Sequence, residues 1–241
     1  MFAHWRVDPA ELQPCLPRGV EPDLHEGSAW LAIVAFRMLG SRLLVAPGRA
    51  TIPPIPELNV RTYVRVGGAP GVWFISLDAS SRFFVSAGRA LFGLPYRLAR
   101  MTTVSTRGRV HYLSTRRDAC FAATYEPCGP ATHAKPGSLE HFLVERYRLF
   151  GLRGRRLITG LVTHEPWPLQ PARARLDLNQ MMPRGLELHG EPLLHFAKSV
   201  EARISVPRPL SALESDEWWP SQGSGARSSE KRSKQAVPLR A

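Results

Sequence analysis

The sequence predicts an α+β protein built mainly on antiparallel β-sheet, and three observations support this class. Glycine and proline make up 19 and 22 of the 241 residues, which favours many turns and short strands. Apolar runs of β-branched and aromatic residues recur along the chain, whereas only two segments have helical spacing. Runs of strands with a few interposed helices are typical of α+β proteins. Residues 1–210 contain no repeat or linker that would divide them, so we expect a single domain there.

The strand predictions rest on two patterns. Residues 28–38 (SAWLAIVAFRM) form a continuous apolar run, which indicates a strand buried on both faces. Residues 59–66 (NVRTYVRV) alternate, with valine or threonine on one face and polar or aromatic side chains on the other. A Gly/Pro turn at 67–71 joins this strand to its expected hairpin partner at 72–77. Four further strands are predicted at 110–115, 120–125, 157–164 and 193–206.

Two segments are predicted to be helical. Residues 80–92 place their apolar side chains on one side and end before Gly93 and Pro95. Residues 138–150 begin with Ser138, a good N-cap, and continue with apolar residues at helical spacing.

The composition changes after residue 210. Residues 211–241 are rich in serine, glycine and charge and have no apolar periodicity, which predicts a mostly disordered polar tail. Because this tail has five basic and four acidic residues, +11 of the formal net charge of +12 belongs to residues 1–210.

The net positive charge does not indicate a specific nucleic-acid partner. Its 28 arginines and four lysines are scattered at single positions, and no ribonucleoprotein signature or recognition helix is present. No apolar run approaches the ~20 residues of a membrane span, so no membrane association is expected. Three cysteines are too few for a full disulfide framework and no secretory signal is evident, which predicts a cytoplasmic location. The sequence leaves a homo-oligomer open.

The common catalytic and cofactor motifs are missing from the sequence. It has neither the GxGxxG nor the GxxxxGK[ST] pattern of nucleotide sites, and neither a GxSxG elbow nor an HExxH zinc helix. Cys120 and Cys128 lack a second pair of ligands at zinc-site spacing. We therefore expect no cofactor and no metal.

Seven blocks of the chain carry a resemblance to a known family. They are FAHWRVDPAELQPCLPRGVEPD (2–23), AWLAIVAFRM (29–38), PELNVRTYVR (56–65), GVWFISLDA (71–79), GRALFGLPYRLARM (88–101), GSLEHFLVERYRLF (137–150) and HEPWPLQPA (164–172). In order and spacing they resemble the YqjF-like family of uncharacterised bacterial proteins, domain of unknown function 2071, over nearly all of residues 2–206. The resemblance implies an acetoacetate-decarboxylase-like β-barrel with a few short helices and an internal cavity.

One block relates the chain to the decarboxylase chemistry. GRALFGLPYRLA (88–99) is similar to the decarboxylase pattern G-R-E-x-x-G-x-P-K-K-x-A, in which the first lysine forms a Schiff base and the second is its cationic neighbour. The corresponding positions here are Tyr96 and Arg97. A phenol cannot form an iminium and an arginine stays protonated, so we expect no Schiff-base lysine. Outside the tail the only lysines are Lys135 and Lys198.

The resemblance also implies a set of cavity-lining residues. Glu57 resembles the glutamate that lines the decarboxylase cavity. The hypothesis is that arginines bind a small carboxylate or similar anion while polar neighbours orient it. The arginines are Arg61, Arg89 and Arg97, and the orienting residues are Glu57, Asn59 and Tyr96. The alternative is that Glu57 pairs with Arg61 or Arg89 in a buried polar network that binds no ligand.

Two further residues have more than one interpretation. His164, followed by Glu165, is either half of an acid/base pair or a strand end. Asp78 is either a turn acceptor or a catalytic acid, and we expect the turn acceptor. The leading function is binding, or lysine-independent transformation, of a small anionic organic molecule, which leaves open whether the protein is an enzyme. The alternative is a non-enzymatic structural or protein-interaction module with a filled barrel.

Overall fold

The computed structural model describes residues 1–39, 54–205 and 207–210, and the backbone of 235–240. Over these residues the chain forms sixteen strands, three helices and one 3-10 turn at Gln13–Cys15. The strands are β1 Phe2–Val7, β2 Glu21–Pro22, β3 Ala29–Met38, β4 Ile55–Val66, β5 Ala69–Ala79, β6 Tyr96–Leu98, β7 Arg100–Thr106, β8 Arg109–Arg116, β9 Ala119–Pro127, β10 Arg148–Arg153, β11 Arg156–His164, β12 Leu169–Asn179, β13 Leu193–Ala197, β14 Ser199–Ile204, β15 Arg208–Pro209 and β16 Gln235–Arg240. The helices are α1 Pro9–Leu12, α2 Arg82–Phe92 and α3 Leu139–Val144.

The strands join in one succession, β2-β4-β5-β10-β11-β14-β16-β3-β1-β13-β12-β9-β8-β7. All pairings that the structure describes are antiparallel except β5 with β10 and β5 with β6. β3 also pairs with β4 over eight residue pairs. The mainly antiparallel class with few helices is therefore confirmed. The succession ends at β2 and β7, so the sheet is not closed and the predicted barrel is not confirmed.

Side chains on the two faces of β3 and β4 enter two different apolar cores. Leu31, Ile33 and Val60 belong to the core that includes side chains of β8 and β9. Val34 and Tyr63 belong to the core that includes side chains of α2 and α3. Both strands are thus covered on both faces, as the apolar run at 28–38 predicted. The polar face of β4 points into the second core.

The helix predicted over 138–150 is wrong beyond its first half. Only Leu139–Val144 is helical, and Arg148–Arg153 is a strand that pairs with β11 and, in parallel, with β5. Two neighbouring strands supply backbone hydrogen-bond partners, and this long-range pairing outweighs the local helical spacing. Gly151 packs closely on the end of α2, since a Cβ there would lie 3.2 Å from the carbonyl oxygen of Phe92.

The single strand predicted over 193–206 is divided in two. β13 pairs with β1 and β12, whereas β14 pairs with β11 and β16.

In the segment predicted to be a mostly disordered tail, Gln235–Arg240 forms strand β16. Residues 206, 211–234 and 241 lie outside the described part of the chain. No helix within the described residues is both long and apolar enough to span a bilayer.

Helix α2 holds Tyr96 in place. The helix begins after Ser81, whose hydroxyl accepts a hydrogen bond from the Phe84 amide, and it ends at Gly93 in the left-handed region. Gly88 lies so close to the Tyr96 ring that a Cβ there would be 2.4 Å from a ring carbon. Arg89 Nε donates to the Tyr96 carbonyl oxygen at 2.7 Å. The G-R-x-x-x-G block therefore fixes both the ring and the backbone of Tyr96.

We predict that Gly88→Ala destabilises the protein. Overpacking against Tyr96 outweighs the better helix propensity of alanine, so we expect a net loss of about 1 to 2 kcal/mol in the free energy of unfolding. Urea denaturation measures the loss. Ser86→Ala, at an exposed position of the same helix, is the matched control and should leave stability unchanged or slightly raised. Equal stabilities of the two variants would contradict the close packing of Gly88 on Tyr96.

Candidate functional site

Four side chains on one face of β4 form a set that we call the β4 stripe: Glu57, Asn59, Arg61 and Tyr63. They occupy alternate positions, so they project to the same side of the sheet. Glu57, Asn59 and Tyr63 are buried, and Arg61 is half-buried. A strand with both faces covered thus carries a carboxyl, an amide, a guanidinium and a phenol in one row.

Glu57 is buried, and no positively charged side chain of the described residues pairs with it. The Tyr96 hydroxyl donates to Glu57 Oε2 at 3.0 Å, and the Tyr112 hydroxyl donates to the Glu57 carbonyl oxygen at 2.7 Å. Burial raises the pKa of Glu57 from 4.5 to about 7, although hydrogen bonds from Tyr96 and Asn59 act in the opposite direction. A carboxyl with a pKa in this range can both accept and donate a proton near neutrality.

The ion pair required by the alternative interpretation is not formed among the described residues. Arg61 Nη2 points to the carbonyl oxygen of Leu143 at 3.4 Å, and Arg89 binds the Tyr96 carbonyl oxygen. Neither arginine forms a salt bridge with Glu57. The charge state of Glu57 is therefore set by burial and by neutral hydrogen-bond donors.

Among the described residues, several buried polar atoms at the Arg61 end of the β4 stripe have no hydrogen-bond partner. They are Nε of Arg61, both ring nitrogens of His4, Nδ1 of His195 and the hydroxyl of Tyr63. The His4 ring lies 6.1 Å from the His195 ring and 6.4 Å from the Tyr63 ring, measured between centroids. Burial, together with the charge of Arg61, holds the pKa of His4 well below its usual value. Buried polar groups normally have partners, so this cluster is suited to bind an additional polar group.

The structure does not bring two of the predicted arginines to the β4 stripe. Tyr96 and Arg97 are neighbours in β6, and neighbouring strand residues point to opposite faces. Tyr96 points inward, whereas Arg97 is exposed. Arg89 is also exposed and uses its guanidinium on a backbone carbonyl. We therefore remove Arg89 and Arg97 from the candidate site and retain Glu57, Asn59, Arg61 and Tyr96.

The expectation that Asp78 is a turn acceptor is wrong. Asp78 lies within β5 and is fully buried. Its carboxylate accepts a hydrogen bond from Ser114 Oγ at 2.8 Å and pairs with Arg116. Because Ser114 and Arg116 belong to β8, this contact ties β5 to the outer strands and has a structural role.

His164 is the last residue of β11, in agreement with the strand-end interpretation. Its ring lies 4.7 Å from the Tyr147 ring and 5.2 Å from the Trp167 ring, measured between centroids. Burial lowers the pKa of His164.

Lys135 and Lys198 are both exposed. Within the described part of the chain, no group of three or more His, Cys, Asp or Glu could hold a metal ion.

Sequence reasoning missed His4, His195 and Tyr63 as members of the site. The alternation of residues 59–66 already placed Tyr63 on the polar face, so its membership could have been inferred. His4 and His195 come together because β1 pairs with β13, with Phe2 opposite His195. The two strands are far apart in the sequence, and no local pattern indicates that pairing.

The antiparallel sheet and the α2 block define the chain as a protein of the acetoacetate-decarboxylase-like fold. Acetoacetate decarboxylase from Legionella pneumophila superposes with a TM-score of 0.58 at 16% identity, covering 87% of this chain and 83% of that chain. The enduracididine biosynthesis enzyme MppR complexed with pyruvate gives a TM-score of 0.61 at 14% identity, covering 86% of each chain. At these identities the comparison establishes the fold alone.

The sequence comparisons identify the family. Residues 1–201 match the DUF2071 family, described as an uncharacterized conserved protein. The uncharacterized protein YqjF of Bacillus subtilis (strain 168) is 37% identical over 203 residues, which are 82% of this chain and 84% of YqjF. The chain belongs to the DUF2071 family.

We predict that the free energy of unfolding of Glu57→Gln increases relative to that of the wild type as the pH rises. The pKa of Glu57 is about 7 in the folded protein and near 4.5 when unfolded, so the unfolded state loses the proton first. The wild type therefore loses up to about 3 kcal/mol of stability between pH 4.5 and pH 7, and the glutamine variant does not. Urea denaturation at pH 5 and pH 8 measures the difference.

Glu11→Gln, which removes an exposed carboxyl on α1, is the matched control. Its stability relative to the wild type should be the same at both pH values. A pH-independent difference for Glu57→Gln as well would contradict the raised pKa of Glu57.

Proposed function

We propose that this protein binds a small organic anion, a carboxylate, at the β4 stripe, and that Glu57 exchanges a proton with it. One observation carries the proposal: an arginine without a carboxylate partner among the described residues shares a strand face with a buried carboxyl whose pKa is about 7. Arg61 binds the carboxylate, and Glu57, hydrogen-bonded to Tyr96, is the acid/base group. Asn59 lies between them.

The chemistry of the side chains supports this assignment. A guanidinium is permanently charged and matches a carboxylate in a two-point hydrogen bond. Glu57 and Arg61 are four residues apart, about 13 Å along the strand at ~3.3 Å per residue. A long arginine side chain and a small ligand together can span that distance. A structure of MppR, which has a similar fold, is described as a complex with pyruvate, a small carboxylate of the proposed class.

The proposed reaction or binding does not use a Schiff base. The position of the decarboxylase lysine is Tyr96, whose hydroxyl is engaged with Glu57. Burial and the nearby Glu57 carboxylate raise the pKa of Tyr96 well above its usual value, so it stays a neutral hydrogen-bond donor. The two lysines of the described residues are exposed. Acid/base chemistry at Glu57 is therefore the activity that we propose.

The enclosure of the site is also part of the proposal. We infer that β3, β4, β5, β10, β11 and β14 curve into a barrel-like wall around the β4 stripe. The pairings of these strands, and the link from β14 to β3 through β16, support this inference.

The three cysteines are free, which supports the inferred cytoplasmic location.

We predict that pyruvate, used as the probe, raises the thermal unfolding midpoint of the wild type and that Arg61→Met abolishes this stabilisation. A ligand that binds only the folded state stabilises it, and the variant lacks the carboxylate-binding group. Differential scanning fluorimetry with 10 mM pyruvate measures the shift. Arg97→Met is the matched control, because Arg97 is exposed and lies beside Tyr96; its pyruvate response should equal that of the wild type.

The same samples test the lysine-independent part of the proposal. Borohydride added with pyruvate should leave the protein mass unchanged, because no lysine forms a reducible imine at the site. Stabilisation that survives in Arg61→Met would contradict the role of Arg61. Trapping of pyruvate on a lysine would contradict acid/base chemistry without a Schiff base. A wild type that pyruvate does not stabilise would favour the non-enzymatic module with a filled interior.

A further inference from the structure

A second candidate site is a cleft of about 620 Å³ next to the Tyr63 end of the β4 stripe. It lies between the segment after β2, the turn from β4 to β5, helix α3 and strand β11. Its volume falls within the ~300–1,000 Å³ range of small-molecule sites. The exposed surface of the cleft is mostly apolar, and its lining includes Phe142, Tyr147, Leu161 and Arg148. None of the residues of the β4 stripe lines this cleft.

Arg148 is the unusual residue of the cleft. Arg148 lines the cleft and is only 9% exposed, and among the described residues its guanidinium has no hydrogen-bond or salt-bridge partner. Burial lowers the pKa of Arg148, and no carboxylate of the described residues acts in the opposite direction. A buried charge without a partner is costly, so a site that keeps one is suited to an anion that is absent from the protein itself.

The other buried arginine of the cleft shows the contrast. Arg146 Nη1 pairs with Asp23 Oδ2 at 2.7 Å, and Arg65 Nε pairs with the other oxygen of Asp23 at 2.7 Å. Burial lowers the pKa of Arg146, and the Asp23 carboxylate acts in the opposite direction. Arg146 and Arg65 share this one carboxylate, so each has an acidic partner. Among the described residues, Arg148 has none.

The second carboxylate of the cleft is also engaged. Glu145 Oε1 accepts a hydrogen bond from the Trp167 backbone amide at 2.9 Å, and Glu145 Oε2 accepts one from the Tyr147 hydroxyl. Neither Asp23 nor Glu145 is thus free to neutralise Arg148. Among the described residues, both acidic groups of the cleft are thus held by other partners, and Arg148 is the arginine of the cleft without a carboxylate partner.

We propose that this cleft binds an amphipathic organic acid, with its carboxylate on Arg148 and its aryl or alkyl group against Phe142, Tyr147 and Leu161. The guanidinium supplies the two-point contact that a carboxylate matches. The apolar walls favour a ligand larger than a simple acetate-like anion, since burial of apolar surface adds affinity. The cleft adjoins the β4 stripe, because the Phe142 and Tyr63 ring centroids are 5.3 Å apart, but no residue of the stripe lines it. Its occupation does not require the proposed function to be correct.

The test is isothermal titration calorimetry of the full chain with 3-phenylpropionate as the probe. We expect the wild type to bind the acid, and to bind the neutral 3-phenylpropionamide at least tenfold more weakly. Arg148→Met should weaken binding of the acid at least tenfold. The affinity of Arg148→Lys should lie between those of the wild type and Arg148→Met. Arg65→Met, which removes a 52% exposed arginine of the same cleft, is the matched control and should change affinity less than twofold.

Several outcomes would overturn the proposal. They are a wild type that does not bind 3-phenylpropionate, equal affinities for the acid and its amide, and unchanged affinity in Arg148→Met. Loss of binding in Arg61→Met with retention in Arg148→Met would assign the acid to the β4 stripe instead. The comparison of acid with amide needs no variant, so equal affinities would overturn the proposal even where a substitution disturbs folding. Thermal unfolding of Arg148→Met is a further check, since removing an unpaired buried charge should not lower the midpoint.

Discussion

The hydrogen bond from the Tyr96 hydroxyl to the buried Glu57 carboxyl is the contact on which the proposed site depends. Burial disfavours the charged form of a carboxyl, and in most proteins an arginine or lysine offsets the cost. Here the described neighbours of Glu57 are a phenol and an amide. The result is a group that changes charge near neutrality while it remains inside the protein.

The packing around α2 explains how this contact is maintained. Gly88 lets the Tyr96 ring approach the helix, Arg89 binds the Tyr96 carbonyl oxygen, and Gly93 ends the helix so that the chain can enter β6. A sequence block that resembles the lysine-bearing block of the decarboxylases thus positions a tyrosine. The local scaffold can be the same while the chemistry of the positioned side chain differs, so the fold alone does not determine the reaction.

Alternation and resemblance predicted part of the site, and tertiary contacts decided the rest. The alternating residues 59–66 located the polar face of β4, and the resemblance indicated Glu57 and Tyr96. Arg97 was misassigned because matching by motif ignores that neighbouring strand residues face opposite sides. The helix expected at 138–150 ended early because two other strands pair with Arg148–Arg153. Arg148 could not have been singled out, since its isolation depends on where Asp23 and Glu145 find their partners.

A direct titration of the Glu57 carboxyl tests the central claim. Carbon-13 NMR of protein labelled at glutamate side-chain carboxyls follows each group, and Glu57→Gln identifies the Glu57 resonance by its disappearance. We expect a titration midpoint of about pH 7 for Glu57 in the wild type. In Tyr96→Phe we expect a higher midpoint, because the variant loses a hydrogen bond to the ionised carboxylate. A midpoint near 4.5 in the wild type, unaffected by Tyr96→Phe, would contradict it.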